Sequence, residues 1–146
     1  WYINTNQSYD FDGNEVTATY GTATPKAHAD SLYTSQDNTD GLIPDDKSVG
    51  DVKVEGLKTT LIRTLKQQVA GILSNTDWYI TRNAEKSTAI PSSISTHRDA
   101  VRTKQAEMET AITNASDTPA LETLYTYTTT DGVQSRPLGE LPILES

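Results

Sequence analysis

SNTDWYITRNAEKSTAIPSSISTHRDAV, residues 74–101 of a 146-residue chain, is the stretch on which the reading of the fold turns. Ahead of it, Val54, Leu57, Leu61, Leu65, Val69, Ile72 and Leu73 recur three or four apart, which marks one face of an α-helix over about 52–75. Behind it, Ile94, Val101, Met108 and Ile112, with Ala111 and the stem of Arg98 beside them, form a stripe close to a heptad repeat over about 91–115. Two such stripes joined by a short segment are most simply an antiparallel helical hairpin. A narrow seam of this kind also suits packing against copies of itself.

The joint has its own chemistry. Thr76 or Asp77 is placed to cap a short helix over about 77–87, because either side chain can accept from the free N–H groups of a first turn. Trp78 and Tyr79 enter that turn, and Arg82 and Glu85 give it a polar side. Pro91 suits the first position of the third helix, where its missing N–H does no harm. Trp78 is expected to plug the corner, and Trp78→Ala then costs roughly 3–5 kcal/mol. Gly71, near the end of the first helix, implies a close helix approach or an early loosening.

Outward from this centre the pattern changes. Residues 1–21 read as a β-hairpin, with Asp12-Gly13-Asn14 as the turn and Tyr9, Phe11, Val16, Ala18 and Tyr20 alternating about it. Asp10, Asp12, Asn14 and Glu15 invite a calcium reading, but Gly13 falls at loop position four rather than six, which favours an ordinary turn. Pro25 opens a possible helical turn over 26–32. Residues 34–50 read as a long acidic loop anchored by Leu42-Ile43-Pro44. On the far side, Ser116 or Asp117 caps a last short helix, and Tyr125 and Tyr127 lead into a second hairpin over about 124–136 with its turn at Asp131-Gly132. A proline-broken apolar tail, Leu138, Leu141, Ile143 and Leu144, then suits docking on another subunit or on its own helices. The fold class expected is α+β: an arm over 1–50, a helical hairpin domain over 51–116 and a β/extended tail over 117–146.

Composition narrows the function classes. The net charge is −8. Residues 1–50 hold two basic and eight acidic groups, 51–116 nine and seven, and 117–146 one and five. The acidic arms repel phosphate backbones, which argues against nucleic acid. No cysteine is present, so disulfides and thiolate chemistry are excluded. No apolar run approaches the roughly 18 residues of a membrane span and no signal-peptide pattern opens the sequence, so the expected setting is solution or an assembly. His28 and His97 are the only histidines, too few for a zinc site without several carboxylates, and His97 is expected in a partly exposed polar role. No nucleophile elbow, phosphate loop or HExxH pattern occurs. The expectation is a non-enzymatic protein without catalytic, metal or cofactor sites.

Residues 65–102, LKQQVAGILSNTDWYITRNAEKSTAIPSSISTHRDAVR, resemble the phage tail assembly chaperone-like domain of tail-fibre assembly proteins and related tail proteins. The matching positions are Thr76, Asp77, Trp78, Arg82, Glu85, Ile90, Pro91, Arg98, Val101 and Arg102, and His97 stands where an aromatic is more usual. The resemblance implies a tail-associated protein of the virion, present in the host cytoplasm during assembly, whose partners are other tail, baseplate or fibre subunits and further copies of itself. Trp78, Asp77, Arg82, Glu85, Pro91 and Val101 from the matching positions, with Leu61, Leu65 and Met108 from the two helical stripes, are the structural and interaction residues expected here. Members often end soon after the third helix, whereas KQAEMETAITNAS and a Tyr/Thr-rich segment follow here, which favours a resident virion part over a dissociable chaperone. A carbohydrate-binding receptor module is a further alternative, drawn from Trp1, Tyr2, Tyr9, Phe11 and Tyr20.

Overall fold

The computed structural model describes residues 1–144, so the last two residues of the expected 117–146 tail lie outside it. The fold is mixed α+β, with five helices and four separate two-stranded antiparallel sheets among the described residues. Strands β1 (Tyr2–Asn4), β2 (Ser8–Phe11), β3 (Val16–Thr19) and β4 (Ala23–Pro25) build one interrupted ribbon. In it β1 pairs with β4 and β2 with β3. The hairpin is therefore longer than the expected 1–21. Pro25 ends a strand instead of opening a helix, because Lys26 N–H donates to the Trp1 carbonyl at 2.9 Å. The interruption falls where Asn6 takes a positive φ of 58° and where Gly21 lies so close to Thr5 that a Cβ would fall 1.8 Å from the Thr5 carbonyl oxygen.

Strand β5 (Ser31–Leu32) pairs with β6 (Val52–Val54), and between them the expected loop contains helix α1 (Ser35–Thr39). Thr34 and Asp37 form a reciprocal capping box that starts α1. Leu42, expected to anchor this segment, is exposed. The helical stripe was expected to include Val54, but Val54 belongs to β6 and helix α2 spans Leu57–Ser74. Gly56, the residue ahead of α2, offers no capping side chain. Asp30 serves instead, accepting from Gly56 N–H at 2.7 Å and from the Thr59 hydroxyl at 2.8 Å. These bonds hold the Asp30 carboxyl below its ordinary pKa.

Helices α3 (Asp77–Lys86) and α4 (Ser92–Asn114) follow, with Pro91 as the residue before the first turn of α4, one position earlier than expected. Helix α5 (Thr118–Tyr125) is capped by Asp117, which accepts from Ala120 N–H at 2.8 Å. Tyr125 thus ends a helix instead of opening the second hairpin. That hairpin is β7 (Thr128–Thr130) with β8 (Val133–Ser135), turning at Asp131 and Gly132, both at positive φ.

One core joins these parts. Leu65 and Val69 of α2, Val101, Met108 and Ile112 of α4, Leu121 of α5 and Leu138 beyond β8 are buried together. Leu57, Leu61, Ile62, Ile72 and Leu73 of α2 and Trp1, Leu124, Tyr125 and Leu141 pack around them. Across the α2–α4 contact, Lys58 donates to the Thr113 carbonyl at 2.8 Å, Lys66 lies 3.6 Å from Glu109, and Arg98 donates to the Leu73 carbonyl at 2.8 Å. The C-terminal segment returns to this core, with Leu138 N–H donating to the Leu124 carbonyl at 3.0 Å. The choice left open for the apolar tail is thereby divided. Leu138 and Leu141 pack on the chain's own helices, while Ile143 is exposed.

Candidate interaction surfaces

The joint after α2 is built around Arg98. Its side chain is buried, and Nη1 donates to the Leu73 carbonyl at 2.8 Å and to Thr76 Oγ1 at 2.7 Å. Its Nη2 lies 2.9 Å from an Asp77 carboxylate oxygen. The reason is general: the last carbonyls of a helix have no partner within it and carry partial negative charge, so a guanidinium at that end satisfies both. Thr76 is buried and precedes α3 as expected, but its hydroxyl makes no capping bond to that helix and donates to the Leu73 carbonyl at 3.0 Å. Asp77 is likewise turned to Arg98.

Trp78 does not plug the corner. It is 51% exposed, the space behind the turn being closed by Arg98 and Thr76. Its ring stacks on that of Tyr79, centroids 3.8 Å apart, and the Arg82 guanidinium sits 4.7 Å from the Trp78 ring and 5.5 Å from the Tyr79 ring. Arg82 Nε is shielded from solvent and has no hydrogen-bond partner among the described residues. Glu85 and Pro91 are exposed beyond it. His97, expected to be partly exposed, is 9% exposed. It lies beside Arg98 and lines a groove of about 300 Å³ with Ile72, Thr76 and the tail residues Leu141 to Leu144. Of the residues expected to matter, Leu65, Val101 and Met108 meet in the core with Leu61 against them, Asp77 joins the corner, and Trp78 and Arg82 form a surface cluster.

The second surface is the distal half of the ribbon. Tyr9 pairs with Ala18 and Phe11 with Val16, so these four side chains share one face, while Ser8, Asp10, Thr17 and Thr19 share the other. Tyr9 is 67%, Phe11 64% and Val16 63% exposed, so no other described residues cover the apolar face. At the tip, Asp12 accepts from the N–H groups of Asn14 and Glu15, both at 2.9 Å, which keeps its carboxyl below the usual range. The turn thus uses the carboxylate that the calcium alternative would have assigned to a cation.

The sequence placed Arg98 as a stem beside the α4 stripe and among the positions of the resemblance, without pointing to its place at the joint. Its signal was available in the sequence as an arginine on an apolar face, one of the rarer residues to bury without a partner. Asp30 carried no comparable signal, since it acts 26 residues away in the sequence. No group of three or more histidine or acidic residues among the described residues is arranged to hold a metal ion, and no described helix is long and apolar enough to cross a membrane. No protein-family model matches the chain, and comparison with curated proteins and with solved structures likewise gives no match.

Proposed function

We propose that this chain is a non-enzymatic structural protein of a bacteriophage tail, a protein–protein interaction module that joins tail, baseplate or fibre subunits and is present in several copies. In this reading α2 and α4, linked through α3, form an antiparallel helical hairpin that serves as a rigid body carrying the acidic ribbon. The observation that carries the interaction role is the uncovered apolar face of Tyr9, Phe11, Val16 and Ala18. A two-stranded ribbon is marginal in water by itself, and strict alternation of apolar and polar residues has no use without something to cover the apolar side.

The tail setting is drawn from the resemblance of residues 65–102. With Trp78 at the surface, its physical support comes from Thr76, Asp77 and Arg98, three of the matching positions, which are bonded to one another at the joint. Neither a cofactor nor nucleic acid has a part in this reading.

Mass spectrometry of purified virions from a producing host tests it. The expected result is this chain in finished particles at a fixed multiple of the copy number of a tail subunit. Particles that lack it, with the chain found only in the infected-cell lysate, would remove the structural role.

A further inference from the structure

We propose that the ribbon tip of one copy docks, apolar face first, on the Trp78–Tyr79–Arg82 face of α3 in a second copy, so that chains join head to tail. This rests on the assembly reading above for the expectation that copies meet, and it names the contact.

Among the described residues, neither half of the contact is covered by another part of the chain. The ribbon presents Tyr9, Phe11, Val16 and Ala18 to solvent. Helix α3 has no buried residue along its ten positions, although a helix of that length is marginal in water without packing. Its surface carries tryptophan, tyrosine and arginine together, the three types on which interface energy concentrates. The Arg82 Nε, shielded yet unbonded, still has a hydrogen bond to give.

Charge selects the occupant. Residues 1–25 contain Asp10, Asp12 and Glu15 and no lysine or arginine. Helix α3 offers Arg82 and Lys86 against Glu85, its other acid, Asp77, being committed to Arg98. Two ribbons laid face to face with their tips together would instead bring Asp12 and Glu15 of each copy against the same acids of the other. The contact is intermolecular, because within one chain Tyr9, Phe11 and Val16 on the ribbon and Trp78 on α3 all stay exposed. The root of the ribbon is tied to the start of α2, where Leu57 and Lys58 N–H donate to the carbonyls of Ala27 and His28, both at 3.0 Å. Helix α3 begins beyond the far end of α2, roughly 27 Å away along an 18-residue helix. A donor surface and a different acceptor surface on the same chain make a heterologous contact, which closes into a ring or continues as a helical array.

Sedimentation equilibrium of the full chain tests the contact. The expected result is concentration-dependent mass above that of one chain, with Phe11→Asp, Trp78→Ala and Arg82→Glu each weakening self-association roughly 30-fold. Phe11 and Trp78 are exposed and Arg82 is partly so, and circular dichroism should show that the variants remain folded. Mixing Phe11→Asp with Trp78→Ala is decisive. The first retains an acceptor and the second a donor, so one-to-one pairs should form from two partners that are each monomeric alone. A chain that stays monomeric throughout overturns the docking, as does assembly lost in Phe11→Asp but intact in Trp78→Ala and Arg82→Glu, or a mixture that yields no pairs. A monomeric chain found in virions would sink this contact alone, whereas self-association by a chain absent from virions would sink the tail setting alone.

Discussion

At the scale of single residues, the joint after α2 shows how a buried guanidinium can do what an indole was expected to do. Arg98 reaches the Leu73 carbonyl, Thr76 and Asp77 at once, so its loss removes three charge-assisted contacts from the joint and leaves the Leu73 carbonyl only the Thr76 hydroxyl and backbone N–H as local donors. Arg98→Met, which keeps the stem and removes the charge, should cost about 2–4 kcal/mol in urea unfolding. Trp78→Ala should stay within about 1 kcal/mol of the parent, since half the indole is already in water. The reverse order of those two variants would restore the tryptophan as the anchor of the corner. Gly71 is exposed, helical, and has nothing within 4 Å of where a Cβ would stand, so it marks no close helix approach. Gly71→Ala should therefore stabilise the protein by about 0.5–1 kcal/mol, and a lower thermal midpoint would contradict that account.

At the scale of elements, the β5–α1–β6 unit is held by electrostatics more than by burial. Asp37 accepts from the backbone and hydroxyl of Thr34 and pairs with Lys53, and these contacts, the Lys53 bond first, hold its carboxyl well below the ordinary range. The unfolded chain, with an ordinary carboxyl near about 3.9, takes up the proton first as pH falls. The contribution of Asp37 is thus fully present above that value and is lost as pH drops toward the depressed folded value. Lys53 is shifted upward, so its share persists through neutral pH and fades only as pH rises through the raised value. Urea titrations of the parent and Asp37→Asn at neutral pH and near pH 3 should show a gap that narrows on acidification. A gap equal at both values would mean that the ionised carboxylate is not what holds α1.

At the scale of the whole molecule, α5 and the segment after β8 complete the core instead of extending away from it. Leu121 and Leu138 are buried with Val101, Met108 and Ile112, and Trp1 packs against Tyr125 with ring centroids 5.5 Å apart. Thr118 also donates to the Lys26 carbonyl at 2.6 Å, tying α5 to the root of the ribbon. Leu138→Ala should therefore cost about 2–5 kcal/mol, comparable to truncating Leu65 in α2. A change close to zero would show that the C-terminal segment is not part of the cooperative unit.

The amphipathic stripes of α2 and α4, a cap at Ser116 or Asp117 and the turns at Asp12-Gly13 and Asp131-Gly132 were all legible in the sequence, because helix periodicity, capping and tight turns depend on residues within a few positions of one another. The same locality explains what was missed. Val54 continues the apolar spacing of α2 but is taken by β6, since pairing with Ser31 is a distant contact that a local pattern does not contain. Tyr125 alternates like a strand residue but is drawn into α5 by packing against Trp1. By itself the sequence determined the α+β class, the helical centre and the two hairpins. Only the tertiary structure decided that Arg98 closes the joint, that Asp30 supports the start of α2, and that Trp78 and the apolar face of the ribbon remain at the surface. Such outcomes depend on which distant groups reach a site first, and burial follows from that competition and not from the hydrophobicity of the residue alone.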